Sequence, residues 1–150
     1  MNEVFITSSP LETESVGNML AQKLIASKAK QAFIAMYGEL GVGKTAFTRG
    51  FCASLGINRV KSPTFTVVNE YKCSVCHVYH FDMYRITDPD ELYSIGYYDY
   101  ISENGFCLCE WSENIETQIP PYAIKVKIER MNDNENSRKI TVTEGDDEKC

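Results

Sequence analysis

The fold follows from one stretch of the sequence, Gly38-Glu39-Leu40-Gly41-Val42-Gly43-Lys44-Thr45. It matches the pattern G-x-x-x-x-G-K-[S/T], which is the phosphate-binding P-loop. Glycines let several backbone N–H groups of such a loop converge on phosphate oxygens, because no Cβ atom blocks the approach. The pattern predicts that Lys44 reaches the terminal phosphates of a nucleotide and that the Thr45 hydroxyl binds Mg²⁺.

The segments on both sides of the loop support the same interpretation. Residues 31–37 are an apolar run that predicts a buried strand, and residues 45–55 have the pattern of a helix that stops at Gly56. A helix that begins at the loop points the positive end of its dipole at bound phosphate. We therefore expect an α/β fold of the P-loop NTPase type, with three layers and helices flanking a central mixed sheet.

Other segments of the chain have clear secondary-structure patterns. Ser9, Pro10 and Glu12 form the signature of a helix start, with a serine cap and a reciprocal glutamate. A short helix is predicted to open with Asp88 as its cap and Pro89 as its first residue. The sequence also predicts an edge strand at residues 3–7, a first helix at residues 11–27 and two closing strands at residues 122–129 and 138–143. In the segment 60–71, Ser62-Pro63 predicts an extended or turn geometry, and a strand-like alternation starts at residue 65. This segment and a second strand at residues 75–83 predict an antiparallel hairpin after the P-loop helix.

Length and charge limit the classes of protein that the chain can be. With 150 residues we expect a single domain, residues 1–150, that ends in an acidic tail from about residue 144. The N-terminus has no signal-peptide pattern, and no apolar run reaches the ~20 residues that a membrane-spanning helix needs. We therefore expect a cytoplasmic protein that does not enter the membrane. The net charge of −6, without a basic stripe, argues against direct binding of nucleic acid.

Two acidic residues follow strand-like segments and are candidates to complete a nucleotide site. Residues 106–110 are apolar until they end in Glu110, as in a central parallel strand that carries a metal-binding acid. Residues 80–82 end an alternating segment in Asp82. Carboxylates at the C-terminal ends of strands lie where α/β sheets bind ligands. We favour Glu110 for Mg²⁺ and Asp82 for orienting water or holding a metal-bound ligand near the γ-phosphate, although the sequence leaves the reverse assignment open.

Six cysteines raise the question of a zinc site. Cys73 and Cys76 form a C-x-x-C pair followed by His77, and Cys107 and Cys109 offer a second pair. The second pair alternates inside an apolar run, where cysteine behaves as a small hydrophobic residue. A complete zinc site needs two ligand pairs that meet in the fold, and we expect none here.

Taken together, the motifs resemble the TsaE family in their order and spacing. The likeness extends from about Thr13 to Trp111, and the last forty residues contribute little to it. The segments that carry it are the P-loop, Ser62-Pro63-Thr64-Phe65-Thr66 with Asn69-Glu70-Tyr71, His80-Phe81-Asp82-Met83-Tyr84-Arg85, and Glu110-Trp111.

The resemblance implies a Mg²⁺-dependent ATPase that is needed to form threonylcarbamoyladenosine at position 37 of tRNA. Such a protein acts with the TsaD–TsaB complex, which transfers the threonylcarbamoyl group, and meets tRNA only through that complex. The resemblance also implies site residues. Nucleotide contacts are implied for Thr13, Gly38, Glu39, Leu40, Gly41, Val42, Gly43, Lys44, Thr45, Ala46 and Trp111; Mg²⁺ contacts for Thr45 and Glu110; and catalytic roles near the γ-phosphate for Lys44, Thr64 and Asp82.

Two positions depart from the family pattern. Glu39 stands where the family often has aspartate, and Ala46 stands where a second threonine is common. Ala46 lacks a hydroxyl near the α-phosphate but keeps its backbone N–H, so we expect nucleotide binding to survive.

Three alternatives remain at the level of sequence. A small-molecule kinase would share the P-loop, but such enzymes usually carry an arginine-rich lid, and the five arginines here are scattered. A GTP switch would need a guanine-reading N-K-x-D motif, which is missing from the sequence. A zinc-binding module without enzymatic activity is the third.

Overall fold

A seven-stranded mixed sheet forms the centre of the fold in the computed structural model, which describes residues 2–63, 66–74, 76–132 and 134–145. The strands follow one another across the sheet in the order β1-β7-β6-β2-β5-β4-β3. Their bounds are Asn2–Thr7 for β1, Gln31–Tyr37 for β2, Val68–Lys72 for β3, His77–Asp82 for β4, Gly105–Glu110 for β5, Ile124–Met131 for β6 and Asn134–Thr143 for β7.

The four middle strands are parallel, and antiparallel strands extend the sheet at both edges. All six residues of β5 are buried, and so are the five inner residues of β2. Parallel strands covered on both faces are expected to be apolar throughout, which explains the continuous apolar runs in these two segments. The C-terminal ends of β2, β4 and β5 consequently lie side by side.

Helices cover the sheet on both faces, as the sequence predicts. Helices α1 (Pro10–Ala26) and α2 (Lys44–Ala53) pack on one face, where Phe47 and Phe51 are buried. The short helices α3 (Glu91–Ser94) and α4 (Tyr97–Ser102) and a 3₁₀ helix (Ser112–Gln118) pack on the other face. The three-layer α/β fold is confirmed.

The predicted elements are present, with corrections to some boundaries. Ser9 caps α1 by accepting a hydrogen bond from the Glu12 N–H at 3.2 Å, as predicted. The strand whose alternation is predicted to start at residue 65 begins only at Val68, because Val67 has φ of 70° and its N–H bonds to the Pro63 carbonyl in a turn. Residues 64, 65 and 75 of the predicted hairpin lie outside the described residues, as do residues 146–150 of the acidic tail.

The short helix predicted at Asp88 starts later than expected. Its cap is Asp90, and the first helical residue is Glu91. The Asp88 carboxylate instead accepts the Asp90 N–H at 2.9 Å, which forms a local turn of the kind that aspartate favours ahead of a helix. The prediction was therefore wrong by two residues.

Helices α1 and α2 touch closely because glycine stands at the contact. A Cβ atom on Gly50 would lie 1.8 Å from the backbone oxygen of Glu14, and one on Gly17 would lie 2.1 Å from the backbone oxygen of Phe47. Asn18 donates a hydrogen bond to the Gly50 carbonyl at 3.3 Å across the same contact. This packing fixes the P-loop helix against α1.

We expect Gly50→Ala to lower the free energy of unfolding by about 3 kcal/mol, because a backbone oxygen cannot move aside as a flexible side chain can. Alanine is a better helix former than glycine, so the same substitution at an exposed helix position would raise the free energy of unfolding. Chemical denaturation checks the value, with Ala53→Ser on the exposed face of the same helix as the control. Equal stability of Gly50→Ala and the wild type would contradict the close packing.

Among the described residues, we find no helix with both the length and the apolar character needed to span a membrane.

Candidate active site

A cleft of about 360 Å³ lies at the C-terminal ends of the parallel strands. This volume falls within the roughly 300–1,000 Å³ of small-molecule sites. The cleft brings together most of the residues singled out in the sequence: Thr13, Leu40, Gly41, Val42, Gly43, Lys44, Thr45, Ala46, Asp82, Glu110 and Trp111. Gly38 and Glu39 begin the loop beside it and line a neighbouring groove. Thr64 lies outside the described residues.

The P-loop connects the buried strand β2 to helix α2 by a turn that requires glycine. Gly43 caps the helix with φ of 124°, a conformation that residues with a Cβ rarely adopt, and its carbonyl accepts the Phe47 N–H at 3.0 Å. The first turn of α2 thus opens into the cleft. Its free N–H groups and positive dipole end favour an anion at that place.

Lys44 is 96% buried and contacts the loop that it belongs to. Its ammonium group donates hydrogen bonds to the carbonyls of Gly38 and, at 3.2 Å, of Glu39. The same Nζ lies 3.8 Å from the centroid of the Trp111 ring. Burial lowers the pKa of the Lys44 ammonium below its usual value, against the opposing effect of Glu113, Glu110 and Asp82. A phosphate would offer this cation stronger acceptors than neutral carbonyls do.

Trp111 reaches this position through an unusual backbone conformation. Its φ of 59° lies in the left-handed region, directly after the last residue of β5. The turn brings the indole ring to the P-loop lysine, and Tyr84 packs on it with 4.9 Å between ring centroids. Strained residues of this kind concentrate at functional sites.

The two candidate acids lie next to each other. Asp82 ends β4, Glu110 ends β5, and the two are paired in the parallel register. Both are buried, with 7% and 4% of their surface exposed. The Thr45 hydroxyl lies 3.3 and 3.4 Å from the two carboxylate oxygens of Glu110, and Asp82 Oδ1 accepts the Tyr84 N–H at 2.9 Å. Three oxygen-bearing side chains therefore meet at the mouth of the P-loop.

Thr13 lines the cleft beside the P-loop. It is buried in the first turn of α1, and its hydroxyl is 2.9 Å from that of Thr7 at the end of β1. Its methyl group faces Gly43, where a Cβ atom would lie 3.7 Å away. The start of α1 thus forms part of the wall of the cleft beside Gly43.

The structure adds two arginines that the sequence did not point to. Arg130 in β6 contacts Glu39 Oε2 at 3.1 Å and the Leu40 carbonyl at 3.2 Å. Arg138 in β7 donates to the Val42 carbonyl at 2.9 Å and lines the cleft. Both side chains contact the P-loop from the β6–β7 hairpin, whose strand β6 lies next to β2 in the sheet. Their position depends on the pairing of β6 with β2, and the spacing of residues in the sequence gives no signal for that pairing.

The cysteine pairs do not meet. Cys73 and Cys76 have sulfur atoms 3.8 Å apart and pack toward the α1/α2 face, whereas Cys107 and Cys109 are buried on the other face. Burial raises the pKa of the Cys76 and Cys107 thiols to about 12. Within the described residues, no group of three or more histidine, cysteine or acidic side chains could hold a metal ion.

Comparison with known proteins gives the family. A family model described as "Threonylcarbamoyl adenosine biosynthesis protein TsaE" matches residues 7–140. The chain belongs to the TsaE family. The tRNA threonylcarbamoyladenosine biosynthesis protein TsaE of Bacillus subtilis is 42% identical over 91% of this chain and 82% of its own length. The TsaE of Haemophilus influenzae is 39% identical over 85% of this chain and 82% of its own length.

A solved structure agrees with this membership. The crystal structure of Bacillus subtilis YdiB superposes with a TM-score of 0.77 at 33% sequence identity, and covers 97% of this chain and 87% of that one. The fold of this TsaE family member is therefore the P-loop NTPase-like fold that the sequence predicts.

Proposed function

We propose that the chain is a Mg²⁺-dependent ATPase that acts with the TsaD–TsaB complex in forming threonylcarbamoyladenosine at position 37 of tRNA. The observation that carries the proposal is the meeting of the P-loop with Thr45, Glu110 and Asp82 in one cleft. The names of the relatives support the pathway. The geometry supports ATP hydrolysis, because P-loop ATPases use hydrogen-bond donors to phosphate together with carboxylates at the C-terminal ends of neighbouring strands.

The donor set suits a Mg²⁺ ion bound together with ATP. Mg²⁺ prefers oxygen ligands and is usually held by one or two protein side chains plus substrate phosphates. Thr45 and Glu110 offer a hydroxyl and a carboxylate 3.3 Å apart, which are oxygen ligands of the kind that Mg²⁺ prefers. When bound, Mg²⁺ would neutralise charge on the β- and γ-phosphates. Thr45 and Glu110 would hold it.

The remaining residues of the cleft have distinct roles in this proposal. The loop amides and Lys44 bind the phosphates, and Lys44 exchanges its carbonyl partners for phosphate oxygens. Asp82, beside Glu110, orients the attacking water or a metal-bound ligand. Thr13 contacts the nucleotide from the start of α1, and Trp111 packs beside the Lys44 side chain. Thr64 is proposed to lie near the γ-phosphate, as the family resemblance implies.

The contacts of the arginines in the cleft support a proposal of activation by a partner. Arg138 already bonds to the Val42 carbonyl, and Arg49 lies 3.5 Å from Glu14. Transition-state charge in P-loop enzymes is often neutralised by an arginine supplied by a partner protein. We propose that TsaD–TsaB completes this site and that hydrolysis resets the transferase between rounds. Since the chain has a net charge of −6, tRNA engages through the complex.

One experiment separates this proposal from the alternative of a small-molecule kinase. Purified protein is incubated with ATP and Mg²⁺, with and without a panel of small hydroxyl and amine acceptors, and both free phosphate and phosphorylated acceptor are measured. We expect free phosphate alone, released slowly. Stoichiometric transfer to any acceptor would favour the kinase, and release from GTP but not ATP would favour a GTP switch.

A further inference from the structure

We propose that His80 is a positioning residue for the Glu110 carboxylate, and that its Nε2–H fixes the orientation in which Glu110 meets Mg²⁺. This inference rests on the proposed function of the cleft. From sequence alone His80 is best interpreted as a structural residue. In the fold its Nε2 lies 2.5 Å from Glu110 Oε2, and the side chains are 0% and 5% exposed.

The sheet register brings these two residues together. His80 in β4 is paired with Leu108 in β5, and Asp82 is paired with Glu110. His80 is thus the diagonal neighbour of Glu110 on the same face of the sheet, a separation that a long side chain can span. Because both backbones lie in the parallel part of the sheet, the contact does not depend on a mobile loop.

The hydrogen-bond direction follows from the chemistry of the pair. An ionised carboxylate can only accept a hydrogen bond, so His80 Nε2 carries the hydrogen and is the donor. The second ring nitrogen, Nδ1, is buried and has no partner among the described residues. An apolar residue would avoid that unsatisfied atom. The polar character of His80 is therefore directed at Glu110.

Two contacts then restrain one carboxylate. The Thr45 hydroxyl lies 3.3 Å from Glu110 Oε2 on the cleft side, and His80 Nε2 approaches the same oxygen from the interior of the sheet. Hydrogen bonds from outside the metal shell commonly orient a ligand and raise metal affinity. Without His80, Glu110 would lose the contact that fixes its side-chain torsions.

A pair of amide variants tests the role of the Nε2 donor. The side-chain amide nitrogen of His80→Gln occupies about the place of Nε2, whereas that of His80→Asn occupies about the place of Nδ1. For each variant, the dissociation constant of ATP is measured with Mg²⁺ and with excess EDTA. The factor by which Mg²⁺ lowers the dissociation constant of ATP is the quantity compared. We expect this factor to fall about tenfold in His80→Asn and to stay close to the wild-type value in His80→Gln.

The affinity for ATP in EDTA distinguishes positioning of Glu110 from a general structural role. A general structural role would weaken ATP binding both with Mg²⁺ and in EDTA, whereas positioning of Glu110 affects binding only with Mg²⁺. We expect the affinity in EDTA to stay within about twofold of wild type in both variants, since the P-loop amides and Lys44 are untouched. If His80→Asn proves unfolded by circular dichroism, His80→Phe keeps a ring without a donor and is expected to show the same loss.

The outcomes that overturn the inference are distinct from failure of the proposed function. Equal Mg²⁺ tightening in His80→Asn and wild type, or equal loss in His80→Gln and His80→Asn, would reject positioning by Nε2. Wild-type protein that binds no ATP under either condition would instead reject the proposed nucleotide site, and with it the role assigned to His80.

Discussion

Replacement of Lys44 by alanine is expected to weaken ATP binding by at least about 100-fold, or ~2.7 kcal/mol. The side chain is buried against the loop, and its ammonium group, which donates to the carbonyls of Gly38 and Glu39, is proposed to exchange these acceptors for phosphate oxygens. A charge-assisted contact to phosphate contributes about 1.5–3 kcal/mol, and Lys44 has the reach for more than one. Titration of a fluorescent ATP analogue measures the change.

The matched control for this variant is Lys127→Ala. Lys127 lines the neighbouring groove, is largely exposed and pairs with Glu129 at 3.7 Å, so its loss should leave ATP affinity within about twofold. The loss in Lys44→Ala should also be much smaller for AMP than for ATP, because Lys44 is assigned to the terminal phosphates. A folded Lys44→Ala variant with wild-type affinity for ATP would remove the basis of the site.

Asp82→Asn and Glu110→Gln are expected to separate hydrolysis from metal binding. Both substitutions keep the size of the side chain and remove its charge. We expect Asp82→Asn to slow phosphate release by about 100-fold with little change in ATP affinity, as for loss of a residue that orients water. We expect Glu110→Gln to abolish most of the Mg²⁺ dependence of ATP binding, because Glu110 is the acid beside Thr45.

Phosphate release and ATP titrations with and without Mg²⁺ check both variants, and Asp99→Asn on the exposed face of α4 is the control. If only Asp82→Asn changed the Mg²⁺ dependence, the two assignments would be exchanged. Their adjacency in the register makes that exchange the natural competing result.

The parts of the fold that sequence predicts are those with local signals. The P-loop requires a strand before it and a helix after it, and β2 and α2 occupy the expected places. The first helix is specified by its cap, Ser9. Glu110 and Asp82 could each be placed at the end of a strand because β5 and β4 have recognisable strand patterns.

The parts that sequence does not predict depend on long-range pairing. Arg130 and Arg138 reach the P-loop only because β6 pairs with β2, and His80 reaches Glu110 only because β4 pairs with β5. The turn at Val67 has a left-handed conformation that a β-branched residue rarely adopts, so an alternating pattern there falsely indicated a strand. In each case a tertiary contact decides what the local pattern leaves open.

The most direct test of the account is phosphate release from ATP by the protein alone, with TsaD–TsaB, and with TsaD–TsaB plus tRNA. We predict slow release by the isolated protein and a rise of at least about tenfold on addition of TsaD–TsaB, because we propose that the partner supplies additional stabilisation of transition-state charge. The Lys44→Ala variant controls for contaminating ATPases. Equal rates in all three mixtures would contradict partner activation, and rapid hydrolysis by the chain alone would contradict the incomplete site on which the account depends.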